Sequence, residues 1–235
     1  MSAGERPTAA MILAAGRGER LRPLTDRTPK PLLPVNGKPL IEYHVERLAR
    51  AGFTRLVINL AWLGEQIRER LGDGARFGVT IRYSEESPSA LETGGGIFRA
   101  LPHLLPDPFV VVNGDIFTDY DFATLRLAPG VQAHLVLVPN PPEHPTGDFG
   151  FARGRALPEA AERYTFSGIG VYRSALFAGC AAGAFPLRPL LVRAMAQDRC
   201  SAELYGGCWT DVGTAERLEA LDRGLRAQTH SAGSA

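Results

Sequence analysis

Apolar residues in this chain fall into short unbroken runs separated by longer stretches with a helical repeat, and the two patterns alternate. Ala9-Ala10-Met11-Ile12-Leu13 is a run of the first kind and reads as a buried strand, as do residues 56–60, 79–83, 108–113 and 132–138. Between them, Pro39 opens a helix to about Ala51, with Ile41, Val45 and Leu48 on one face and Gly52 to end it. A second helix is expected around residues 63–71, and a third carries Ile97, Phe98 and Leu101. This βαβ rhythm predicts an α/β fold around a mostly parallel sheet. In the second half, residues 148–157 and 163–172 read as shorter paired strands with turns at Gly154 and around Glu159. A helix at about 186–197 presents Leu190, Leu191 and Ala194, a strand follows at 201–205, and a last helix carries Leu218, Leu221 and Leu225. Residues 1–8 are expected to be a loose leader, 9–225 one domain, and 226–235 a frayed tail.

Residues 13–41 break the pattern. Ala14, Ala15 and Gly16 let a ligand approach the backbone where the first strand ends, and Gly16 and Gly18 can turn amides toward an anion. Arg17, Arg20, Arg22, Arg27 and Lys30 supply positive charge against only Glu19 and Asp26. The segment therefore reads as a phosphate-binding loop. It is not a Walker loop, because G-x-x-x-x-G-K-[ST] does not occur. Nor is it a dinucleotide fingerprint: Leu21 stands at the third glycine, and Pro23 stands where the helix should begin. Pro29, Pro31 and Pro34 exclude a continuous helix and leave a long wrapped loop, which inside a compact domain is usually functional. Lys30 and Lys38, the two lysines among 26 basic residues, both fall here, which hints that a compact ammonium is wanted.

Composition narrows the partners. The 235 residues are 45% hydrophobic and 22% charged with a formal net charge of +1, ordinary for a globular α/β domain. That balance gives no reason to expect nucleic acid or a membrane as partner. Cys180, Cys200 and Cys208 lack metal-site spacing, and there is no signal peptide or long apolar span, so a reducing cytoplasm is expected. Oligomeric state is not legible.

Two further places carry candidate chemistry. Residues 85–96, EESPSALETGGG, form a polar loop that can host a flat base, with Glu85, Glu86 or Glu92 to accept an N–H and Gly94 and Gly95 to allow close approach; Thr93 is also a candidate helix cap. Asn113-Gly114-Asp115 ends a buried strand, where a carboxylate points into the ligand crevice of an open sheet, which makes Asp115 a metal-ligand candidate.

The string G-x-G-x-R-L-x-P-L-T-x-x-x-P-K-P-L at residues 16–32 resembles the signature of the sugar-phosphate nucleotidylyltransferases. With N-G-D at 113–115 and W-x-D-x-G-T at 209–214, the likeness runs from about residue 9 to 225. Within that family the pattern is most similar to the short bacterial N-acetylmuramate 1-phosphate uridylyltransferases of cell-wall recycling. Guanylyl- and thymidylyltransferases acting on mannose and glucose 1-phosphates are the neighbouring alternatives, and a non-catalytic nucleotide-sugar sensor is an alternative of another class.

The resemblance implies a single-domain, Rossmann-like, three-layer nucleotidyltransferase fold, with residues 9–115 as the nucleotide-binding half and 116–225 as the sugar-phosphate half. It implies Mg²⁺ held by Asp115 and Asp211, with UTP and a sugar 1-phosphate as the partners. Ala14, Ala15, Gly16, Gly18, Glu19, Arg20, Lys30, Glu86, Thr93 and Gly94 would meet the nucleotide, and Asn113, Asp148, Gly150 and Thr165 the sugar phosphate. Arg20 and Lys30 would be catalytic, the first on the leaving phosphates and the second between the α-phosphate and the acceptor. A muramate acceptor carries a lactyl carboxylate, which favours a nearby arginine, and Arg153, Arg155 and Arg163 are candidates by their position in the second half. The chain leaves no room after residue 225 for the β-helix of bifunctional relatives, so nucleotidyl transfer alone is expected.

Overall fold

A computed structural model describes residues 4–87 and 90–232; parts of the expected leader (1–3), base loop (88 and 89) and tail (233–235) lie outside the described residues. The chain opens with strand β1 (Ala9–Leu13) and then runs through three single 3₁₀ turns, Glu19–Leu21, Leu24–Asp26 and Lys30–Leu32. A minimal hairpin of β2 (Pro34–Val35) and β3 (Lys38–Pro39) leads into α1 (Leu40–Arg50). Next come β4 (Arg55–Leu60), α2 (Gly64–Leu71), β5 (Thr80–Glu85), α3 (Glu92–Leu104), β6 (Phe109–Asn113) and β7 (Ile116–Thr118). The second half contains β8 (Ala133–Val138), β9 (Phe149–Ala152), β10 (Arg155–Leu157), β11 (Arg163–Tyr172), α4 (Arg188–Ala196), β12 (Cys200–Leu204), β13 (Trp209–Asp211) and α5 (Ala215–Ala232).

Nine strands form one sheet in the order β5-β4-β1-β6-β11-β8-β12-β10-β9. The parallel pairing expected from the βαβ rhythm holds for β5, β4, β1 and β6. Beyond β6 the sheet is mixed: β11 runs antiparallel to β6 and β8, β12 is parallel to β8, and β10 and β9 are again antiparallel. The reason is connection length. Only Arg153 and Gly154 separate β9 from β10, both at positive φ, and a two-residue turn of that kind joins antiparallel strands.

Alternation along β1 explains the layers. Ala10 and Ile12 face a cluster with Ile41, Val45 and Leu48 of α1 and Ile67 and Leu71 of α2. Ala9 and Met11 face the opposite cluster, with Ile97, Ala100 and Leu104 of α3 and Leu190, Leu191 and Ala194 of α4. A third, smaller cluster joins Leu21, Leu33 and Val35 of the loop region to Phe117, Val212 and Leu218, so the long loop has its own apolar anchor beneath α5. The fold is thus an α/β three-layer domain.

Three local expectations change. Glu5, placed in the loose leader, is bridged to Leu127 by two backbone hydrogen bonds of 2.8 and 2.9 Å, and its carboxylate meets Arg173 at 2.8 Å. The helix α5 continues through the expected tail to Ala232, with Arg226 paired to Asp222 at 2.7 Å. Thr93 is not a cap: α3 begins at Glu92 after Leu91, so the three glycines occupy its first turn rather than a loop. They are there for packing. A Cβ on Gly94 would meet the Phe185 ring at 2.6 Å, and one on Gly96 would meet Glu86 Oε1 at 2.5 Å.

Candidate active site

The carboxyl ends of β1 and β6, neighbours in the sheet, open onto a cleft of about 360 Å³, with α1 on one face of the sheet and α3 on the other. Ala14, Ala15, Gly16, Gly18, Glu19, Arg20 and Lys30 line it from the loop, Asn59, Glu86, Glu92 and Thr93 from one wall, and Asn113 and Asp115 from the other. Gly94 does not line the cleft and instead packs on Phe185.

The loop keeps its shape through its own charges. Gly18 sits at φ 70°, and its carbonyl accepts from Leu21 N at 2.9 Å and Thr25 Oγ1 at 3.0 Å. Arg17 and Arg22 both meet Asp26, at 3.5 and 2.9 Å. Arg17 also lies 3.8 Å over the Trp62 ring, whose Nε1 donates to Thr25 O at 2.8 Å. These two arginines hold the loop, while Arg20 stays two-thirds exposed at the cleft mouth. Lys38 is engaged elsewhere, on Glu46 at 2.8 Å, so of the two lysines one alone belongs to the cleft.

Lys30 is buried, its side chain 9% exposed. Its Nζ lies 2.6 Å from Asp115 Oδ2 and 4.0 Å from Asp211 Oδ1. The two carboxylates come together because β13 pairs with β7, setting Asp211 opposite Ile116, and because Val212 N donates to Asp115 O at 2.9 Å. Asp211 Oδ2 in turn meets Arg217 at 3.1 Å and Arg20 at 4.0 Å, and Arg217 reaches Glu143 at 2.5 Å. Lysine, arginines and carboxylates therefore alternate, and the three cations balance the three anions.

Asp115 and Asp211 are the residues that could hold a divalent cation. Among the described residues no group of three or more His, Cys, Asp or Glu side chains forms a ready-made metal cluster. Asp115 and Asp211 nonetheless converge on a single cationic position, that of the Lys30 ammonium, and two carboxylates suffice for Mg²⁺ when waters and phosphate oxygens complete its shell.

Beneath the cleft lies His44, fully buried in α1, whose Nε2 bonds the Ile116 carbonyl at 2.8 Å. Burial pushes its imidazole down to about 4, so the ring is neutral at physiological pH and its Nε2–H donates to that carbonyl. The wall opposite Asn113 and Asp115 is organised by Asn59, a residue not singled out from the sequence. Its Oδ1 accepts the Ala14 amide at 2.7 Å and its Nδ2 donates to Glu86 Oε1 at 2.7 Å, while Glu86 Oε2 accepts Leu91 N at 2.6 Å. A polar residue inside the apolar run at 56–60 was the available signal.

On the other side of Asp115 lies a second cavity of about 200 Å³, walled by Asn113, Thr165, Phe166, Trp209, Asp211 and Arg217, among others. A bulge in β11 shapes it, where Gly168 at φ 82° lets the Asn113 side chain approach its backbone. Thr165 is on this wall, bonded to Asn140 Oδ1 at 2.9 Å. Asp148 and Gly150 are not: the Asp148 carboxylate accepts Phe166 N at 2.8 Å and meets His144 at 3.3 Å, and Gly150 presses on Ala160 in a hairpin contact. Asp148 thus acts behind the wall. Of the expected arginines, Arg153 turns the β9–β10 hairpin, Arg155 pairs with Asp198 at 3.2 Å, and Arg163 donates to Asp148 O at 2.7 Å. None lines the cavity. Arg217 does, and it lies one turn beyond the W-x-D-x-G-T string, where a helix surface was the plain reading.

Residues 9–165 match the family model described as nucleotidyl transferase. The chain is 52% identical over 224 residues to an N-acetylmuramate alpha-1-phosphate uridylyltransferase of Neisseria meningitidis serogroup B, covering 89% of this chain and 95% of that one. A protein of the same name from Caulobacter vibrioides is 32% identical over 226 residues, covering 89% and 93%. In fold, the chain is similar to a candidate glucose-1-phosphate thymidylyltransferase of Bacillus anthracis, with a TM-score of 0.80 at 23% identity over 93% of this chain and 95% of that one.

Proposed function

The chain belongs to the nucleotidyl transferase family, and from that premise we propose that it transfers the uridylyl group of UTP to N-acetylmuramate 1-phosphate, giving the UDP-sugar and pyrophosphate in cell-wall recycling. The observation that carries the chemistry is Lys30, buried on the wall of the larger cavity, with its ammonium 2.6 Å from Asp115, which lines both cavities, and 4.0 Å from Asp211, which lines the smaller. The choice of nucleotide and acceptor is supported by 52% identity along almost the whole chain to a relative of that name.

An acceptor phosphate oxygen in the smaller cavity attacks the α-phosphorus of the nucleotide in the larger one. The new O–P bond forms as the bond to the bridging oxygen of the β-phosphate breaks, and pyrophosphate leaves past Arg20. The attacking oxygen is already anionic at neutral pH, so no side chain has to take a proton. Lys30 lines the larger cavity and stands against Asp115, which lines both, a position from which its ammonium offsets the charge that gathers between the two phosphates. Arg20 can follow the departing phosphates because it is exposed at the mouth, and the Gly16 and Gly18 amides hold the triphosphate in line. Asn59 fixes Glu86 so that its carboxylate faces the base wall in one orientation. Asp115 and Asp211 would hold Mg²⁺, which supplies charge neutralisation of the triphosphate when bound.

A reducing cytoplasm suits this reading. The three cysteines stand as free thiols, and among the described residues no helix is long and apolar enough to cross a membrane.

Pyrophosphate release with Mg²⁺, crossing UTP, dTTP, GTP and CTP against the 1-phosphates of N-acetylmuramate, N-acetylglucosamine, glucose and mannose, tests the proposal. Release is expected with UTP and N-acetylmuramate 1-phosphate above every other pair. A different best pair would overturn the substrate assignment and leave the chemistry standing.

A further inference from the structure

The smaller cavity presents a guanidinium to which the transfer reaction itself gives no role. Three basic side chains face this cavity: Arg20, His144 and Arg217. Arg20 also lines the nucleotide cleft and so belongs to the phosphates, and His144 is held by Asp148 at 3.3 Å. Arg217 faces the acceptor cavity but not the nucleotide cleft. Its side chain is 20% exposed, and one nitrogen holds Glu143 at 2.5 Å and Asp211 at 3.1 Å. Gly213 makes the room: a Cβ there would lie 2.9 Å from the Arg20 guanidinium and closer still to that of Arg217.

Glu143 is an unusual partner for a fixed ion pair. It comes from the proline-rich connection at 139–147, outside any helix or strand, and its side chain is 41% exposed. A part-exposed surface carboxylate, seated on an arginine in a cavity, is what a bound carboxylate ligand would replace.

We propose that Arg217 is the specificity-determining residue that recognises a carboxylate on the acceptor sugar phosphate, and that Glu143 occupies the guanidinium until that acceptor displaces it. The inference rests on N-acetylmuramate 1-phosphate being the acceptor, whose lactyl ether ends in a carboxylate. Specificity follows from a contact that one acceptor makes and the other does not: an acceptor without the carboxylate leaves the guanidinium on Glu143 and gains nothing from it. Asp211 lies on the same nitrogen, so Arg217 also links acceptor binding to the carboxylate beside Lys30.

The test compares N-acetylmuramate 1-phosphate with its lactamide, in which a neutral carboxamide replaces the carboxylate, at saturating UTP. The unaltered protein should favour the carboxylate in kcat/KM by roughly tenfold to a hundredfold, the scale of a hydrogen bond to a charged group. Arg217→Gln should bring the two acceptors to near equality. Glu143→Gln, which frees the fork, should lower KM for the carboxylate acceptor by about threefold, the scale of one part-exposed ion pair, and widen the preference. The Glu143 variant reads the same fork should the Arg217 variant fold poorly. The inference is overturned if Arg217→Gln keeps the preference, if it weakens both acceptors equally, or if Glu143→Gln leaves the preference where it was. A protein that turns over the muramate acceptor without preferring it to the lactamide refutes the inference alone. One that turns over only other sugar phosphates refutes the proposed acceptor, and the inference with it.

Discussion

Lys30 and Asp115 meet at 2.6 Å between Nζ and Oδ2, across a sequence separation of 85 residues, and that contact joins the phosphate loop to the end of β6. Lys30→Ala should lower turnover by about a hundredfold to a thousandfold, the scale on which one preorganised electrostatic contact acts in a transition state. Asp115 is partly exposed and can regain water, so the thermal midpoint should move little. Near-normal turnover, measured alongside an unchanged melt, would contradict the role given to Lys30.

Asp211 differs from Asp115 in touching two arginines as well as facing Lys30. In Asp211→Asn, the Mg²⁺ concentration for half-maximal rate should rise by about tenfold or more. A magnesium titration of initial rates reads this directly. An unaltered midpoint would remove Asp211 from the metal set.

Asn59 is 3% exposed and bonds both Ala14 and Glu86. In Asn59→Ala the Ala14 amide loses its acceptor and the Glu86 carboxylate loses a donor, which should cost about 1–3 kcal/mol of stability. KM for the nucleotide should rise more than KM for the acceptor, because the disturbed wall belongs to the larger cavity. Urea unfolding and separate KM determinations check the two halves of this expectation.

His44 makes stability depend on pH in a defined window. Its folded value is lowered by burial from an ordinary 6.5 to about 4, so the unfolded chain takes up a proton that the folded chain refuses. The contribution is complete above about pH 6.5 and is lost as pH falls toward 4. Between pH 7 and 5 this group alone should remove about 2 kcal/mol, because each tenfold difference in proton affinity between the two states is worth about 1.4 kcal/mol. His44→Gln should flatten that slope in urea unfolding, and equal slopes would assign the acid sensitivity to other groups.

Much of the nucleotide half was readable because its signals are local. The apolar run at Ala9–Leu13 alternates between two cores as a buried strand must, and the prolines of the loop ruled out a helix there. At the three glycines before Ile97, helix entry and loop were both open because the two look alike when side chains are missing; Phe185, far along the chain, decides for the helix by packing on Gly94. The acceptor half was less legible for a related reason. Its cavity is assembled from the β11 bulge, the β7–β13 ribbon and the first turn of α5, and none of these long-range pairings leaves a periodic trace. Asp148 and Gly150 were expected at the sugar but support the wall from behind, whereas Arg217, which looks in sequence like any exposed helix arginine, faces the cavity.

The most direct measurement is transfer of label from UTP carrying radioactive phosphorus at the α-position, with N-acetylmuramate 1-phosphate as acceptor and Mg²⁺ present. The label should appear in a UDP-sugar in step with unlabelled pyrophosphate, with none left on the protein after quenching. Label retained on the protein, or UTP bound without transfer to this acceptor, would contradict direct attack on the α-phosphorus by the muramate phosphate.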